Sequence, residues 1–205
     1  MAYLYLIRHG KTEGNMEKRY VGRTDEPLCE AGVCEIIERR NILLRSFLPE
    51  KVYVSPMLRC RQTAEQLFPG VDQEVLDDLR EMDFGQFEYK NYEELSDDMR
   101  YQAFIDSGGC LDFPEAEPQQ QFRKRVRKAF AQCLEKHEAM ARLASGDPQE
   151  PLVFVVHGGT IMAIMEEFAR PHRDYFDWQV RALSGYRCRI VREEDRFYLD
   201  DVIEL

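Results

Sequence analysis

Residues 3–10 read YLYLIRHG, and residues 152–159 read LVFVVHGG. Each is a short, unbroken apolar run that ends abruptly in a histidine and glycine. An apolar run without polar alternation suits a strand buried on both faces, so both are predicted as inner strands of a mostly parallel sheet. In such sheets ligands bind beyond the carboxyl ends of the strands. If the two strands are neighbours, His9 and His157 face each other there. The glycines after them allow a sharp turn and a close approach of backbone to ligand.

Working outward, a third apolar run, KVYV at 51–54, ends in Ser55-Pro56, with Pro56 placed to open a helix through about Phe68. A weaker strand is expected near 75–79, and strands at about 186–192 and 197–203 are expected to form a hairpin at the sheet edge. Helical patterning covers about 30–47, where Val33, Ile36, Ile37, Leu43, Leu44 and Phe47 are read as one side. It also covers about 119–144, where Phe122, Val126, Ala129, Phe130, Cys133, Leu134, Met140 and Ala141 recur at helical spacing. Gly146-Asp147-Pro148 should close that helix. The stretch 82–118 breaks the alternation and is expected as a mainly helical insertion over one end of the sheet. The whole reads as one domain over 1–205, an α/β three-layer sandwich with helices on both faces.

Composition narrows the function classes. The chain carries 28 basic and 38 acidic residues for a net charge of −10, a surface that repels nucleic acid and anionic membrane. No apolar run approaches the roughly 18 residues of a membrane span. The opening MAYLYLIRHG lacks the charge order of a secretory signal, so the cytoplasm is the expected compartment. The six cysteines form no CxxC pair and are read as reduced, mostly buried thiols. With four histidines and no HExxH, neither a metal site nor a cofactor is expected. No GxSxG turn and no GxxxxGK loop occurs. Cys34 and Arg40 satisfy a formal Cys-x5-Arg spacing. The sequence between them holds two glutamates and no glycine, and fits an amphipathic helix rather than a phosphate loop.

The third strand delivers Ser55 and, one helical turn on, Arg59. A site at these strand ends therefore holds His9, His157, Arg8 and Arg59. Arginine offers a fixed fork of donors matched to phosphate oxygens. A neutral imidazole can attack phosphorus, and a second, protonated imidazole can hold an equatorial oxygen. In LREMDFGQFE at 79–88, Glu81 is the best candidate for the acid that serves the leaving oxygen, its pKa raised by apolar neighbours such as Met82 and Phe84. The basic run RKRVRK at 123–128 is read as a solvated helix face with Val126 inward, His137 as a partly buried structural histidine, and His172 as a loop residue.

Four ordered segments, RHGKTEGN at 8–15, SPMLRCRQTA at 55–64, LREMDFGQFE at 79–88 and VVHGG at 155–159, together resemble the histidine phosphatase superfamily, the phosphoglycerate-mutase-like proteins. YVGRTDEPL at 20–28 and FPEAEPQQQFRKRV at 113–126 are similar to two further stretches of that family. The resemblance implies a phosphohistidine on His9, phosphate ligands in Arg8, Arg59 and His157, and an acid, then base, in Glu81. It places Asn15 and Gly158 near the phosphate, and Tyr20, Gly22 and Arg23 in the loop flanking the substrate. Glu117 matches an acidic family position, and Cys29 stands where a threonine commonly caps the next helix. The resemblance further implies a phosphatase for a small phosphate ester, α-ribazole phosphate or a sugar phosphate, needing no cofactor and no metal. A phosphoglycerate mutase is the rival enzyme, and a non-catalytic phospholigand-binding relative the rival of another class. Gly14 stands where the resembling mutases usually carry a tryptophan. The sequence assigns no oligomeric state.

Overall fold

A computed structural model describes residues 3–143 and 151–205, with the side chains of 42–46 and 141–143 left aside. The strands are β1 (Tyr3–Arg8), β2 (Lys51–Val54), β3 (Asp72–Val75), β4 (Leu152–Val156), β5 (Gly185–Glu193) and β6 (Arg196–Glu204). The α-helices are α1 (Glu13–Met16), α2 (Glu30–Ser46), α3 (Leu58–Leu67), α4 (Met99–Asp106), α5 (Gln119–Leu143) and α6 (Gly158–Phe168). One six-stranded sheet runs in the order β3-β2-β4-β1-β5-β6. The β3-β2, β2-β4 and β4-β1 pairs are parallel, and β5 and β6 add an antiparallel hairpin at one edge.

Strand alternation supplies both faces of the core. Leu4, Leu6, Tyr53, Phe154 and Val156 pack against Phe122, Val126 and Phe130 of α5 and Ile161 and Ile164 of α6. Tyr5, Ile7, Val52, Val54, Val153 and Val155 pack on the other side with Ile36 of α2 and Cys60, Ala64 and Leu67 of α3. The inner strands must therefore be apolar at every position, which is the run that marks them in the sequence.

Several expectations shift. The weak strand is β3 at Asp72–Val75, three residues before its expected start, and Asp77–Leu79 is a 3-10 turn. As an edge strand it pairs through backbone alone and shows no apolar pattern; Glu74 is held instead by Lys51 and Lys136. Pro56 does not open α3, which starts at Leu58 after Met57. Ile37 is exposed while Ile36 is buried, so the inward stripe of α2 is narrower than its composition implies. Leu43, Leu44 and Ala141 lie outside the described side chains, and Gly146-Asp147-Pro148 outside the described residues. Met140 is exposed. Between 82 and 118 the chain forms the 3-10 turn Gly85–Phe87 and the two-turn α4, and the rest is turns and loop. It is therefore less helical than expected, held by ring packing of Phe87, Tyr101, Phe104 and Phe113.

Candidate active site

β1 and β4 are adjacent, with Arg8 opposite Val156, and the His9 N–H donates to the Val156 carbonyl at 2.9 Å. Both histidines consequently emerge at the same end of the sheet, ring centroids 5.1 Å apart and edge to face. The His9 Nδ1 lies 2.7 Å from the carbonyl of Gly10. A carbonyl only accepts, so Nδ1 carries the proton and Nε2 keeps its lone pair. Burial, with Arg59 and Arg8 beside it, holds the His9 pKa well below the usual histidine value. The ring is a neutral base with one free nitrogen.

His157 caps the start of α6 and is fully buried. Its Nε2 lies 2.7 Å from Ser55 Oγ, and Ser55 Oγ accepts in turn from the Met57 N–H at 3.4 Å. Burial, then Arg59, His9 and Arg8, depress its pKa well below the ordinary value. Burial first, and the two guanidinium charges after it, thus disfavour the protonated imidazole expected at this position. Where the serine hydroxyl donates to Nε2, the ring proton sits on Nδ1; where it accepts, the proton sits on Nε2. The buried Cys60 sulfur lies 3.5 Å from Nε2, and burial raises its pKa to about 12, so it stays a thiol.

The arginines are held by backbone rather than carboxylates. Arg59 is fully buried and donates to the carbonyls of Thr24 (2.8 Å), Gly22 (2.9 Å) and Val21 (3.3 Å). Arg8 donates to the Val180 carbonyl at 2.7 Å. In both residues the Nε–H is buried without an acceptor among the described residues. Two guanidinium charges with unanswered donors, beside two neutral imidazoles, are what a tetrahedral dianion would satisfy.

Glu81 is buried. Its Oε1 accepts from the Met82 N–H and its Oε2 from the Gly159 N–H, each at 3.0 Å. Burial outweighs these bonds and the nearby arginines, and raises its pKa. Arg125 of α5 pins the turn that carries it, donating to the carbonyls of Asp78 and Arg80 at 2.8 Å and of Glu81 at 3.1 Å. Glu117 holds Arg125 in place at 2.6 and 2.7 Å. Neither link is visible in the sequence, where RKRVRK reads as a surface run.

Arg8, His9, Glu81 and Gly158 line one cavity of about 490 Å³, with Asn15 and Tyr20 in its wall. Asn15 forms a capping box with Thr12 that uses its Oδ1, so its NH2 is what it can offer the cavity. A Cβ at Gly158 would stand 3.6 Å from the Arg8 guanidinium. Arg59 and His157 are not among the residues that line this cavity. Gly22 does not line the cavity. It supplies a carbonyl to Arg59, and a Cβ there would meet the Met82 carbonyl at 2.0 Å. Arg23 does not reach the site either. Its side chain is 64% exposed and pairs with Asp83 at 3.2 Å. The reason is Glu88, whose Oε1 accepts from the Gly22 N–H (2.9 Å), the Thr24 N–H (2.9 Å) and the Thr24 hydroxyl (2.8 Å). Held there from one side and by Arg59 from the other, the loop turns its backbone inward and Arg23 outward. Cys29 does take the cap position expected of threonine, its sulfur 3.4 Å from the Gly32 N–H.

Sequence reasoning also missed the outer wall, built by Phe104, Phe113, Gln119, Arg123, Tyr175 and Phe176. The only sequence signal for it is the aromatic density of 82–118. His137 is half-buried and His172 exposed, as expected. All six cysteines are free, four of them buried. Among the described residues no group of three or more His, Cys, Asp or Glu is placed to hold a metal ion. No described helix is long and apolar enough to cross a membrane.

Strand ends that present two histidines, two arginines and a buried carboxyl define a phosphoryl-handling α/β enzyme. The chain belongs to the histidine phosphatase superfamily (branch 1), whose pattern matches residues 4–202. It is a phosphatase of that family, and phosphatases stand among its relatives. An adenosylcobalamin/α-ribazole phosphatase of Salmonella typhimurium is 33% identical over 145 residues, 63% of this chain and 69% of that one. The α-ribazole phosphatase structure from Shigella flexneri superposes with a TM-score of 0.73 at 23% identity, covering 96% of this chain and 94% of that one. A phosphoglycerate mutase structure from Thermus thermophilus gives a TM-score of 0.64 at 27% identity, covering 91% and 92%.

Proposed function

We propose that the chain is a single-domain cytoplasmic enzyme that hydrolyses a small phosphate ester, α-ribazole phosphate or a sugar phosphate, through a phosphohistidine. The observation that carries this reading is the His9 ring: Nδ1 is committed to Gly10, the pKa is depressed, and Nε2 is free beside Arg8. Nε2 attacks phosphorus in line, the ester P–O bond breaks, and the Glu81 proton passes to the departing alkoxide oxygen. Water then loses a proton to Glu81 and attacks phosphorus, and the N–P bond breaks to release inorganic phosphate. Arg8 and Arg59 offset charge on the phosphoryl oxygens throughout, with the His157 ring N–H as a neutral donor. Asn15 and the start of α6 at Gly158 complete the phosphate's surroundings. The positive charge comes from arginine, so the reaction is proposed to need neither metal nor cofactor.

Hydrolysis rather than mutase turnover is supported by Gly14. A Cβ there would meet Val21 at 2.7 Å, Glu26 at 2.8 Å and Tyr89 at 3.1 Å. That packing leaves no room for the tryptophan that the resembling mutases usually carry. The test is phosphate release from a phosphomonoester panel, with and without a strong chelator, beside 3-phosphoglycerate with catalytic 2,3-bisphosphoglycerate. Chelator-resistant phosphate release is expected. Rapid formation of 2-phosphoglycerate with little phosphate from any ester would replace this reading with the mutase.

A further inference from the structure

The cavity has two ends of different chemistry. At the inner end stand Arg8, His9 and Glu81. The outer wall is aromatic: Phe104 and Phe113 meet at a tilt with centroids 4.4 Å apart, Phe84 meets Phe113 at 5.3 Å, and Tyr20 meets Phe84 at 5.2 Å. Tyr175 and Phe176 also line the cavity, the Tyr175 hydroxyl donating to the Gly159 carbonyl at 3.3 Å. Gly109, at φ +81°, also lines the cavity and lies so close to Phe176 that a Cβ would stand 2.7 Å from its ring.

Arg123, Arg19 and Gln119, which also line the cavity, are already engaged. Arg123 donates to both oxygens of Glu166 at 3.1 Å and lies over the Tyr175 ring at 4.0 Å. Arg19 is bound by Glu17 at 2.5 Å and Glu94 at 2.6 Å. Gln119 donates to the carbonyls of Gly109 and Leu111 and accepts from Arg123. A second phosphate or a carboxylate on the leaving group would thus find no cation without a carboxylate partner of its own. A hydroxyl-rich sugar would find few open hydrogen-bond partners and would leave ring faces wet.

We propose that the alcohol released by this enzyme carries a flat, uncharged aromatic ring system, seated between Phe104, Phe113 and Phe176 while the phosphoryl group lies at His9. The proposal rests on the phosphatase reading and narrows it, favouring an aromatic ester over a simple sugar phosphate or a bisphosphate. The rings supply apolar area and stacking, and the neutralised arginines supply discrimination against charge.

The experiment is a set of esters whose alcohols are similarly unactivated: ethyl, 2-phenylethyl, 2-(1-naphthyl)ethyl and 2-(4-carboxyphenyl)ethyl phosphate, with ribose 5-phosphate. Adding the phenyl ring should raise kcat/KM at least about tenfold over ethyl, the naphthyl ring further, and the carboxylate should cancel most of the gain. Phe104→Leu should shrink the phenyl-to-ethyl ratio at least about threefold. Calorimetric binding of 2-phenylethylphosphonate against ethylphosphonate to the native chain should show the same ranking without turnover. Ethyl or ribose 5-phosphate equalling the aryl esters, or a carboxylate that improves them, would overturn the inference. Loss of all phosphate release in His9→Ala tests the phosphatase reading separately; that reading fails if the native chain releases none, while the phosphonate ranking still decides the ring.

Discussion

The rings of His9 and His157 meet edge to face with centroids 5.1 Å apart, although 148 positions separate them in the chain. The contact follows from β1 and β4 being parallel neighbours in matched register, Arg8 opposite Val156. Both rings are buried beside Arg59 and Arg8, and both are held neutral. Neutrality gives His9 its lone pair, and it has a cost in acid.

Because both folded-state pKa values lie below the unfolded value of about 6.5, the unfolded chain takes up more protons as pH falls. The stability these histidines allow is fully present above about pH 6.5 and is lost as pH drops toward their folded values. Glu81 acts in the opposite sense, since its raised pKa favours the folded state at low pH. Melting temperatures at pH 7.5 and 5.5 should therefore show a smaller acid loss in His9→Gln than in the native chain. An equal loss would mean that the His9 ring is not held neutral.

Glu81→Gln should impair alkyl esters about a hundredfold or more, and a nitrophenyl ester far less, when phosphorylation of His9 is followed in single turnovers. A good leaving group needs little protonation. In the native chain, the rate of that step for alkyl esters should fall as pH rises through the raised Glu81 pKa, and this limb should vanish in the variant. Equal losses for both esters would move the acid to another carboxyl, with Asp83 the next to test.

Arg125 touches the backbone of Asp78, Arg80 and Glu81 but does not line the cavity. On the proposed mechanism it is a positioning residue for Glu81. Arg125→Lys loses the fork that spans three carbonyls, so alkyl esters should slow about tenfold while the nitrophenyl ester changes little. A uniform loss for both esters, with a lowered melting temperature, would reduce Arg125 to a structural role.

The inner half of this site can be read from sequence because its residues are fixed to elements with strong patterns. Buried parallel strands must be apolar throughout, so YLYLI and LVFVV are unmistakable, and the residues just after them stand at the ligand end of the sheet. Arg59 stands in the first turn of α3, five positions after the end of β2. The outer half cannot be read in this way. Phe104, Gln119, Arg123 and Phe176 come from α4, α5 and a 3-10 turn before β5, and they meet only through tertiary packing. β3 is misplaced by sequence pattern because an exposed edge strand leaves no apolar mark. Arg23 stands outside the cavity because its loop is turned by Glu88, 65 positions away, whose three bonds to that loop carry no local signature.

The central claim is that His9 Nε2 carries the phosphoryl group. Brief mixing with 32P-labelled phosphomonoester, an alkaline quench and peptide mapping measures it directly. The label should be stable in base, labile in acid, chased by unlabelled substrate, located on His9 and absent from His9→Ala, which should also lose turnover. Normal turnover by His9→Ala, or a chaseable label on another residue, would contradict it.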